Sequence, residues 1–564
     1  MKCRFLTPHC GNVGDSWWKY DGTRPWSEQH RTQTIAGNSW LGNASQDGRD
    51  NMRIRLVYPD PNPRVGLSGR KVESAALQLL AAITPAEHEV AIVQEHLGDR
   101  VNFDDKHVDL VGITAMTIQS RRAYEIADGY RRAGKTVVLG GIHPSVLPDE
   151  ALQHADAVVV GEAEPVWPQV LADAANHSLR GIYRGQEYAD LGLLPNYRRA
   201  LFPKRSTFSL GSVQAARGCP YDCSFCSATL FAGRKYRFRP VGNVIAEIKG
   251  MNNRLIFFLD DNIFSSEAYC RELFSELKKL NVIWVGQASL HLTASNPELL
   301  RLAADSGCFS LFVGIESLSE ANLRATRALA KNMASTPEAM GKSIRVLHDH
   351  GIMVMAGVIF GFDDDDPGVF VRTREFLGDN RVGHGSFSAL TPFPGTRLFQ
   401  ELQTQSRITT YDWSKYDGQT AVFLPKLMTP GQLEKGTRAM GVDFYSTPKI
   451  LRRFWANRHH PLIYLGTSFA SRHSCRVDNN VPLLTRSGRW KKSHETLPVA
   501  KLEASKASLR PSRPSLVGIR EPGEEALHLH TKQTNFDQVV NADQPLGKIE
   551  RLADEVARAH SQRP

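Results

Sequence analysis

The sequence predicts an α/β protein built from two parallel-sheet modules, and two observations carry this prediction. Short apolar runs rich in β-branched residues recur between residues 52 and 400, and amphipathic helical stretches separate them. Strands that alternate with helices form parallel sheets whose two faces are covered by helices. The chain has 564 residues, of which 41% are hydrophobic and 23% charged, and this balance excludes wholesale disorder.

The first module, residues 52–170, is predicted to be a doubly wound, Rossmann-like parallel sheet. Its strand candidates are 53–59, 88–95, 108–115, 136–141 and 156–162, and its helix candidates are 72–83, 119–133 and 149–154. Sheets of this kind bind ligands at the carboxyl ends of their strands. Polar and glycine residues follow three of the strands, and together they favour a large cofactor over simple tight turns. They are Thr114, Thr117, Gly140, Gly141, Gly161 and Glu162.

The second module, residues 207–400, is predicted to be a partial, TIM-like (β/α)6 barrel. Six strand candidates alternate with helical segments, at 209–217, 254–260, 282–289, 309–317, 352–362 and 384–393. In such barrels the chemistry takes place at the carboxyl ends of the strands. Asp260 and Asp261 end the second strand, where paired carboxylates can bind an ammonium group or a ribose, or can instead cap the following helix.

The remaining segments are predicted to support this body or to lie outside it. Residues 1–51 form an irregular N-terminal extension, 171–206 a linker, 401–470 a small and irregular C-terminal accessory region, and 471–564 a mostly disordered tail. Within the accessory region, Arg452 and Arg453 are predicted to lie on the solvated face of a helix.

The net charge and the hydropathy of the chain limit which binding partners and which cellular location are expected. The net charge is +10, but the chain has no dense block of Lys and Arg, so no nucleic-acid partner is expected. It has no apolar run of about 18 residues, which predicts no transmembrane segment. The N-terminus lacks the apolar core of a signal peptide, and a cytoplasmic location is therefore expected.

The strongest signal is a cluster of three cysteines directly after the first barrel strand. Cys219, Cys223 and Cys226 are three of the eight cysteines, and their spacing is C-x3-C-x2-C. Thiolates on one short loop suit an iron–sulfur cluster, whereas zinc normally takes four ligands that usually come in two pairs. The loop therefore predicts a [4Fe–4S] cluster with one iron left open, with a zinc site or incidental cysteines as the alternatives.

This loop resembles that of the radical SAM superfamily, and other motifs resemble its B12-binding members. The segments KTVVLGGIHPSVLPDEA (135–151) and AVVVGEAE (157–164) are similar to the cobalamin-binding domain that precedes many radical SAM domains. LDDNIF (259–264), FVGIESLS (312–319) and LTPFPGT (390–396) resemble the barrel of the same group. YDWSKYDG (411–418) resembles the accessory region of a subgroup that includes hopanoid C2-methylases.

The resemblance implies three cofactors and their residues. Cys219, Cys223 and Cys226 would hold the [4Fe–4S] cluster, and the large cofactor of the first module would be cobalamin. Residues that the resemblance places near S-adenosylmethionine (SAM) are Phe225, Asp260, Asp261, Gln287, Glu316 and Ser317. One departure concerns cobalt: the loop after the first strand, residues 60–66, lacks the histidine that ligates cobalt in many cobalamin domains. His143 is predicted to shape a loop instead.

The predicted function is that of a cobalamin-dependent radical SAM enzyme that methylates an unactivated carbon through methylcobalamin. One alternative is a B12-dependent cyclisation or ring rearrangement without methyl transfer, and a distant one is a non-catalytic corrinoid or iron–sulfur sensor. The expected partners are a small-molecule or lipid-like substrate and an electron donor of the reductase or flavodoxin type.

Overall fold

Six parallel strands form the first sheet, and the alternating pattern of the N-terminal half predicts five of them. The computed structural model describes residues 51–60, 73–201, 211–251, 253–328 and 336–478. The strands are β1 (Arg53–Tyr58), β2 (Glu89–Gln94), β3 (Leu110–Thr114), β4 (Thr136–Gly140), β5 (Ala157–Val160) and β6 (Gly181–Arg184). Their order is β2-β1-β3-β4-β5-β6. This order reverses between β1 and β3, which is where doubly wound sheets open a crevice for a ligand.

Helices cover both faces of this sheet because alternate strand residues point to opposite sides. Val57 and Ile113 join one core, against the helix Ser120–Arg132, whereas Leu56 and Leu110 join the other. The remaining helices of this module are Ala75–Ile83, Ile142–Val146, Pro148–Leu152 and Trp167–Ala175. All four residues of β5 are buried, as expected for a central parallel strand.

The stretch 171–206, which the sequence pattern predicts as a linker, contains three short regular segments between residues 171 and 201. It contributes the end of the helix Trp167–Ala175, the edge strand β6 and a short 3-10 helix, Arg199–Leu201. Strand β6 was missed because only Tyr183 of its four residues is buried, so the segment carries little apolar signal.

The second sheet has the open (β/α)6 arrangement that the sequence predicts. The strands of this half are β7 (Gly211–Val213), β8 (Ala216–Arg217), β9 (Arg237–Phe238), β10 (Leu255–Phe258), β11 (Ile283–Ala288), β12 (Cys308–Glu316), β13 (Met353–Phe360) and β14 (His384–Ala389). Six of them pair in parallel in the order β14-β13-β12-β11-β10-β7, while β8 and β9 form a small antiparallel pair. This antiparallel pair brackets the three cysteines.

Helices surround the barrel strands and continue beyond them. Those of the barrel are Ala228–Ala232, Val241–Lys249, Glu267–Lys278, Leu290–Ala294, Pro297–Asp305, Glu320–Ala325, Pro337–Asp349 and Val369–Asp379. The accessory region is more regular than predicted, with the helices Arg397–Thr404, Pro430–Phe444, Thr447–Phe454 and Pro461–Asp478. The last helix extends into residues 471–478, so the predicted disordered tail begins too early. The predictions for residues 1–50 and 479–564 lie outside the described residues.

Arg453 does not face solvent as predicted. Its side chain is buried, its guanidinium lies 3.6 Å from the centroid of the Phe444 ring, and it donates to the Phe444 carbonyl at 3.0 Å. An aromatic face and a carbonyl together replace the water that an arginine would otherwise keep. Arg452 is exposed, as expected. Within the described ranges, no helix is both long and apolar enough to cross a membrane.

Candidate active site

The three cysteines lie on a loop that its flanking backbone holds in place. Cys223 is buried, and Cys219 and Cys226 are partly exposed. The Cys219 amide donates to the Gly233 carbonyl at 3.2 Å, which ties the loop to the turn before β9. Gly218 has a φ of +91°, and an added Cβ would collide with the Lys235 carbonyl, so this entry into the loop requires glycine.

The three thiols of the loop are ligands of the kind that an iron–sulfur cluster takes. None of these cysteines is in a disulfide. Across the described parts of the chain, no three His, Cys, Asp or Glu side chains converge on a position for one ion. A zinc site needs its donors around one centre, whereas a four-iron cube holds its thiolates further apart.

Asp222 anchors the same loop to three different elements. Its carboxylate lies 2.8 Å from Arg397 and 2.8 Å from Arg327, and it also pairs with Arg234. Arg397 donates in addition to the Asp222 carbonyl at 2.7 Å. The hydrogen bond from Arg397 lowers the pKa of Asp222 below its usual value, so the carboxylate stays charged. One carboxylate among three guanidiniums leaves a net positive surface beside the cysteines.

Asp260 holds the backbone that leads into the cysteine loop. Its carboxylate is buried and accepts from the amides of Ala215, at 3.1 Å, and of Ala216. Burial raises the pKa of Asp260 to about 7. The carboxylate of Asp260, which was predicted to contact SAM, therefore binds the backbone between β7 and β8 instead. Its neighbour Asp261 is exposed.

Asn262 is a residue of the site that the sequence reasoning missed. Its side chain is buried and accepts from the amides of Phe264, at 3.2 Å, and Ser289, at 3.3 Å. It donates to the Tyr236 hydroxyl at 3.1 Å. Burial, followed by the charge of Cys219, raises the pKa of Tyr236. Asn262 thereby links the ends of β10 and β11 to the cysteine loop, and its place in the LDDN motif was the available signal.

The other residues predicted to contact SAM lie at the ends of β11 and β12 and on the cysteine loop. Gln287 is on β11, and its carbonyl accepts from the Ile263 amide at 2.8 Å. Phe225 lies on the cysteine loop with its ring 6.1 Å from that of Phe362, which follows β13. Ser317 is buried and accepts from the amide of Ser319 at 3.1 Å, so it caps a turn.

Glu316 combines burial with a backbone conformation that side chains disfavour. It is the last residue of β12, and its φ is +61°. The ladder between β12 and β13 shifts register between Gly314 and Glu316. Left-handed non-glycine residues cost free energy and cluster at functional sites, where the surrounding structure holds them. The backbone therefore marks Glu316 as the most distinctive of the predicted SAM contacts.

The predicted cobalamin residues come together at the carboxyl edge of the first sheet. Thr114 pairs in register with Gly140 across β3 and β4. Gly141 has a φ of +95°, and a Cβ there would lie 2.7 Å from the Thr114 hydroxyl oxygen. Gly161 has a φ of +83°, and a Cβ there would meet no atom within 4 Å. The edge therefore has a side-chain-free backbone facing open space at Gly161, which fits a bulky ligand. Thr117 is buried at the start of the next turn.

Glu162 reaches into the barrel module. Its buried carboxylate lies 2.6 Å from Arg237 and 3.1 Å from Arg217, and it accepts from the Ala189 amide at 2.8 Å. Arg217 also lies 2.7 Å from Glu164. Burial alone would raise the pKa of Glu162, but the hydrogen bond from Arg237 and the charge of Arg217 outweigh it and lower the pKa. The carboxylate is thus engaged by arginines of β8 and β9.

A second contact joins the first module to the accessory region. Glu150 accepts from the indole of Trp413 at 3.1 Å and lies 3.1 Å from the imidazole of His143. His143 is fully buried, with its ring 5.5 Å from that of Trp413. This position supports the predicted loop-shaping role for His143. The YDWSKYDG motif therefore contributes a contact to the cobalamin-type sheet.

Two family models match the two modules. The B12 binding domain matches residues 65–171, and the Radical SAM superfamily matches residues 213–377. Bacteriochlorophyllide d C-12(1)-methyltransferase of Chlorobaculum tepidum is 32% identical over 67% of this chain and 83% of its own length. The C-8(2)-methyltransferase of the same organism is 32% identical over 70% of this chain and 90% of its own length.

Other comparisons agree. The hopanoid C-2 methylase of Rhodopseudomonas palustris is 26% identical over 65% of this chain and 73% of its own length. The structure of the radical S-adenosylmethionine methyltransferase TsrM from Kitasatospora setae, with cobalamin and [4Fe–4S] cluster bound, has a TM-score of 0.55 at 17% identity. That match covers 75% of this chain and 99% of TsrM, and it shows the shared fold.

The chain therefore belongs to the cobalamin-binding radical SAM family, as its motifs predict. It is a radical SAM enzyme with B12-dependent methyltransferases among its relatives. Its cofactors are cobalamin, a [4Fe–4S] cluster and SAM. The predicted likeness to hopanoid methylases is confirmed, but the two bacteriochlorophyllide methyltransferases are more similar to this chain, at 32% against 26% identity.

Proposed function

We propose that this enzyme methylates an unactivated carbon of a small, largely apolar ring compound. The observation that carries the proposal is the ion pair between Arg217 and Glu162, which joins the cysteine loop to the carboxyl edge of the first sheet. A methyl carrier on one side and a radical source on the other need such proximity around one substrate. Relatives named for methylating a bacteriochlorophyllide or a hopanoid support both the reaction and the apolar substrate class.

Within this proposal the chain binds, orients and supports its cofactors. When bound, the cofactors supply the carbon-centred radical and the methyl group. Cys219, Cys223 and Cys226 hold the cluster. Phe225, Asp261, Gln287 and Glu316 line the position for SAM, while Asp260 and Ser317 support the backbone around it. At the sheet edge, the residues proposed to receive cobalamin are Thr114, Thr117, Gly140, Gly141 and Gly161. Glu162 was predicted to contact cobalamin, and its arginine partners favour a positioning role instead.

The electron donor is proposed to be of the reductase or flavodoxin type. The enzyme itself is proposed to work in the reducing environment of the cytoplasm. The surface around Asp222 supports this partner, because Arg234 and Arg327 are each 61% exposed there and flank the cysteine loop. Electrostatic complementarity of this kind steers acidic partners to a docking position.

The test is anaerobic reconstitution with SAM that carries an isotopically labelled methyl group. We expect 5′-deoxyadenosine and a labelled product to form together, with a bacteriochlorophyllide and a hopanoid as the first substrates supplied. Cys223→Ala is expected to lose both products and the absorbance of the cluster. Cys475→Ala, on the helix Pro461–Asp478, serves as the matched control and is expected to retain them.

Two results would contradict the proposal. Formation of 5′-deoxyadenosine without any labelled product would favour cyclisation or ring rearrangement. A bound cluster that leaves SAM intact would favour the alternative of a non-catalytic corrinoid or iron–sulfur sensor.

A further inference from the structure

The last two helices form a cap on one end of the barrel. Ile450, on Thr447–Phe454, and Tyr464, on Pro461–Asp478, pack with Phe309 and Met353 in one buried cluster. The Tyr464 hydroxyl donates to the Ile450 carbonyl at 2.9 Å. Phe309 and Met353 lie at the amino ends of β12 and β13, so this cap covers the end of the barrel opposite the cysteine loop.

The outer face of the cap is apolar. On Pro461–Asp478 the exposed positions recur at helical spacing, and they are Pro461, Leu462, Gly466, Phe469, Ala470 and His473. Leu462 is 85% exposed and Phe469 is 42% exposed. On the preceding helix and turn, Leu451 and Trp455 are 55% and 67% exposed and lie four residues apart, on one side. Surface helices of globular proteins normally place polar residues there. We refer to Leu451, Trp455, Leu462 and Phe469 as the C-terminal patch.

Basic residues predominate in the sequence around this patch. The nearest acidic residues, Asp443 and Asp478, flank it, and Asp443 pairs with Lys449. Residues 444–477 contain no Asp or Glu, whereas they contain six basic residues, Lys449, Arg452, Arg453, Arg458, Arg472 and Arg476. Arg452 and Arg458 are exposed. Arg458 also donates to the Trp455 carbonyl at 2.7 Å, so a cationic side chain lies directly beside the apolar surface.

We propose that the C-terminal patch binds the surface of an anionic lipid membrane. Exposed Trp, Leu and Phe side chains enter the boundary between headgroups and acyl chains, and neighbouring Arg side chains attract anionic headgroups. In this proposal the two helices lie in the plane of the membrane surface. Membrane attachment would bring the enzyme to the phase in which an apolar substrate is concentrated.

Charge argues against two other occupants. A second copy would bring the same predominantly basic surface to the contact, because a two-fold interface is built from one patch twice. The segment that follows in sequence, residues 479–511, contains seven Lys and Arg against two Glu, so it offers no complementary charge. A lipid surface supplies both the negative charge and the apolar layer.

The test measures co-flotation of the full-length holoenzyme with vesicles of phosphatidylcholine and phosphatidylglycerol at a ratio of 3:1. We expect binding to these vesicles, weak binding to pure phosphatidylcholine, and loss of binding at high salt. Trp455→Ser combined with Leu462→Ser is expected to reduce the bound fraction at least about fivefold, as is Arg452→Gln combined with Arg458→Gln. Leu193→Ser replaces a leucine that is 66% exposed elsewhere and is expected to bind as the unaltered protein does.

Any one of three outcomes would overturn the proposal. The first is that the unaltered enzyme does not bind anionic vesicles, and the second is that the patch variants bind them as well as it does. The third is a dimer, seen by light scattering, that Trp455→Ser dissociates. Unchanged thermal unfolding of the variants shows that their loss of binding is local. Binding is measured without turnover, so the result is independent of the proposed methyl transfer.

Discussion

The guanidinium of Arg217 lies 3.1 Å from the carboxylate of Glu162, and this pair joins the carboxyl edge of the first sheet to the strand that leads into the cysteine loop. Arg217 is two residues before the first cysteine, and Glu162 is two residues after β5. Both side chains are almost fully buried. A buried pair of this kind contributes less to stability than to geometry, because desolvation offsets much of the attraction. Its consequence is a fixed relation between the cysteine loop and the sheet edge.

Glu162→Gln is expected to uncouple radical formation from methyl transfer. The variant removes the carboxylate partner of Arg237 and leaves Arg217 paired with Glu164 alone, which costs about 3 kcal/mol and loosens the relation between the first sheet and the cysteine loop. SAM cleavage should continue, while the ratio of labelled product to 5′-deoxyadenosine falls at least about tenfold. Glu187→Gln, at an exposed site, is the control. An unchanged ratio in Glu162→Gln would show that the pair positions nothing.

Gly161→Ala is expected to weaken cobalamin binding by about tenfold. The φ of +83° strains any side chain by about 1 kcal/mol, and the new methyl group would project into the open space proposed for the cofactor. Gly134→Ala is a matched control, since its φ is +71°, its Cβ also meets no atom within 4 Å, and it precedes β4 at the opposite edge. The affinity of each variant for cobalamin is measured by titration with hydroxocobalamin, with binding followed by absorbance. Equal affinities would place the cofactor elsewhere.

The free energy of unfolding is expected to depend on pH through the titration of Asp260. Burial raises the pKa of its carboxyl from 3.8 to about 7 in the folded chain. Between these values the folded state binds more protons than the unfolded state, so the contribution of Asp260 to stability falls as the pH rises to 7 and is constant above it. Urea unfolding at several pH values should show this decline in the unaltered protein relative to Asp260→Asn. Parallel profiles for the two proteins would contradict the raised pKa.

The sequence predicted the regular elements well because their signal is local. Apolar runs marked the central strands β5 and β12, and cysteine spacing marked the cluster loop. What it missed depends on contacts between distant residues. The sequence alone indicates a surface residue at Arg453 and a ligand-facing carboxylate at Glu162. In the structure Phe444 packs against Arg453, and Arg217 of the barrel module pairs with Glu162. No local pattern encodes those partners. The LDDN motif could have marked Asn262 as a site residue, but not its hydrogen bond to Tyr236, which is 26 residues away in sequence.

Glu316→Gly is expected to stabilise the fold while it weakens SAM binding. The φ of +61° strains a residue with a side chain, so glycine should raise the free energy of unfolding by about 1 kcal/mol. Loss of the carboxylate should raise the Kd for SAM, measured on the reconstituted enzyme by equilibrium dialysis. Arg381→Gly replaces another residue of positive φ, at +50°, in the turn before β14. It is expected to stabilise similarly and to leave the Kd unchanged. If Glu316→Gly stabilises the fold and binds SAM normally, Glu316 is a strained turn residue without a role in binding.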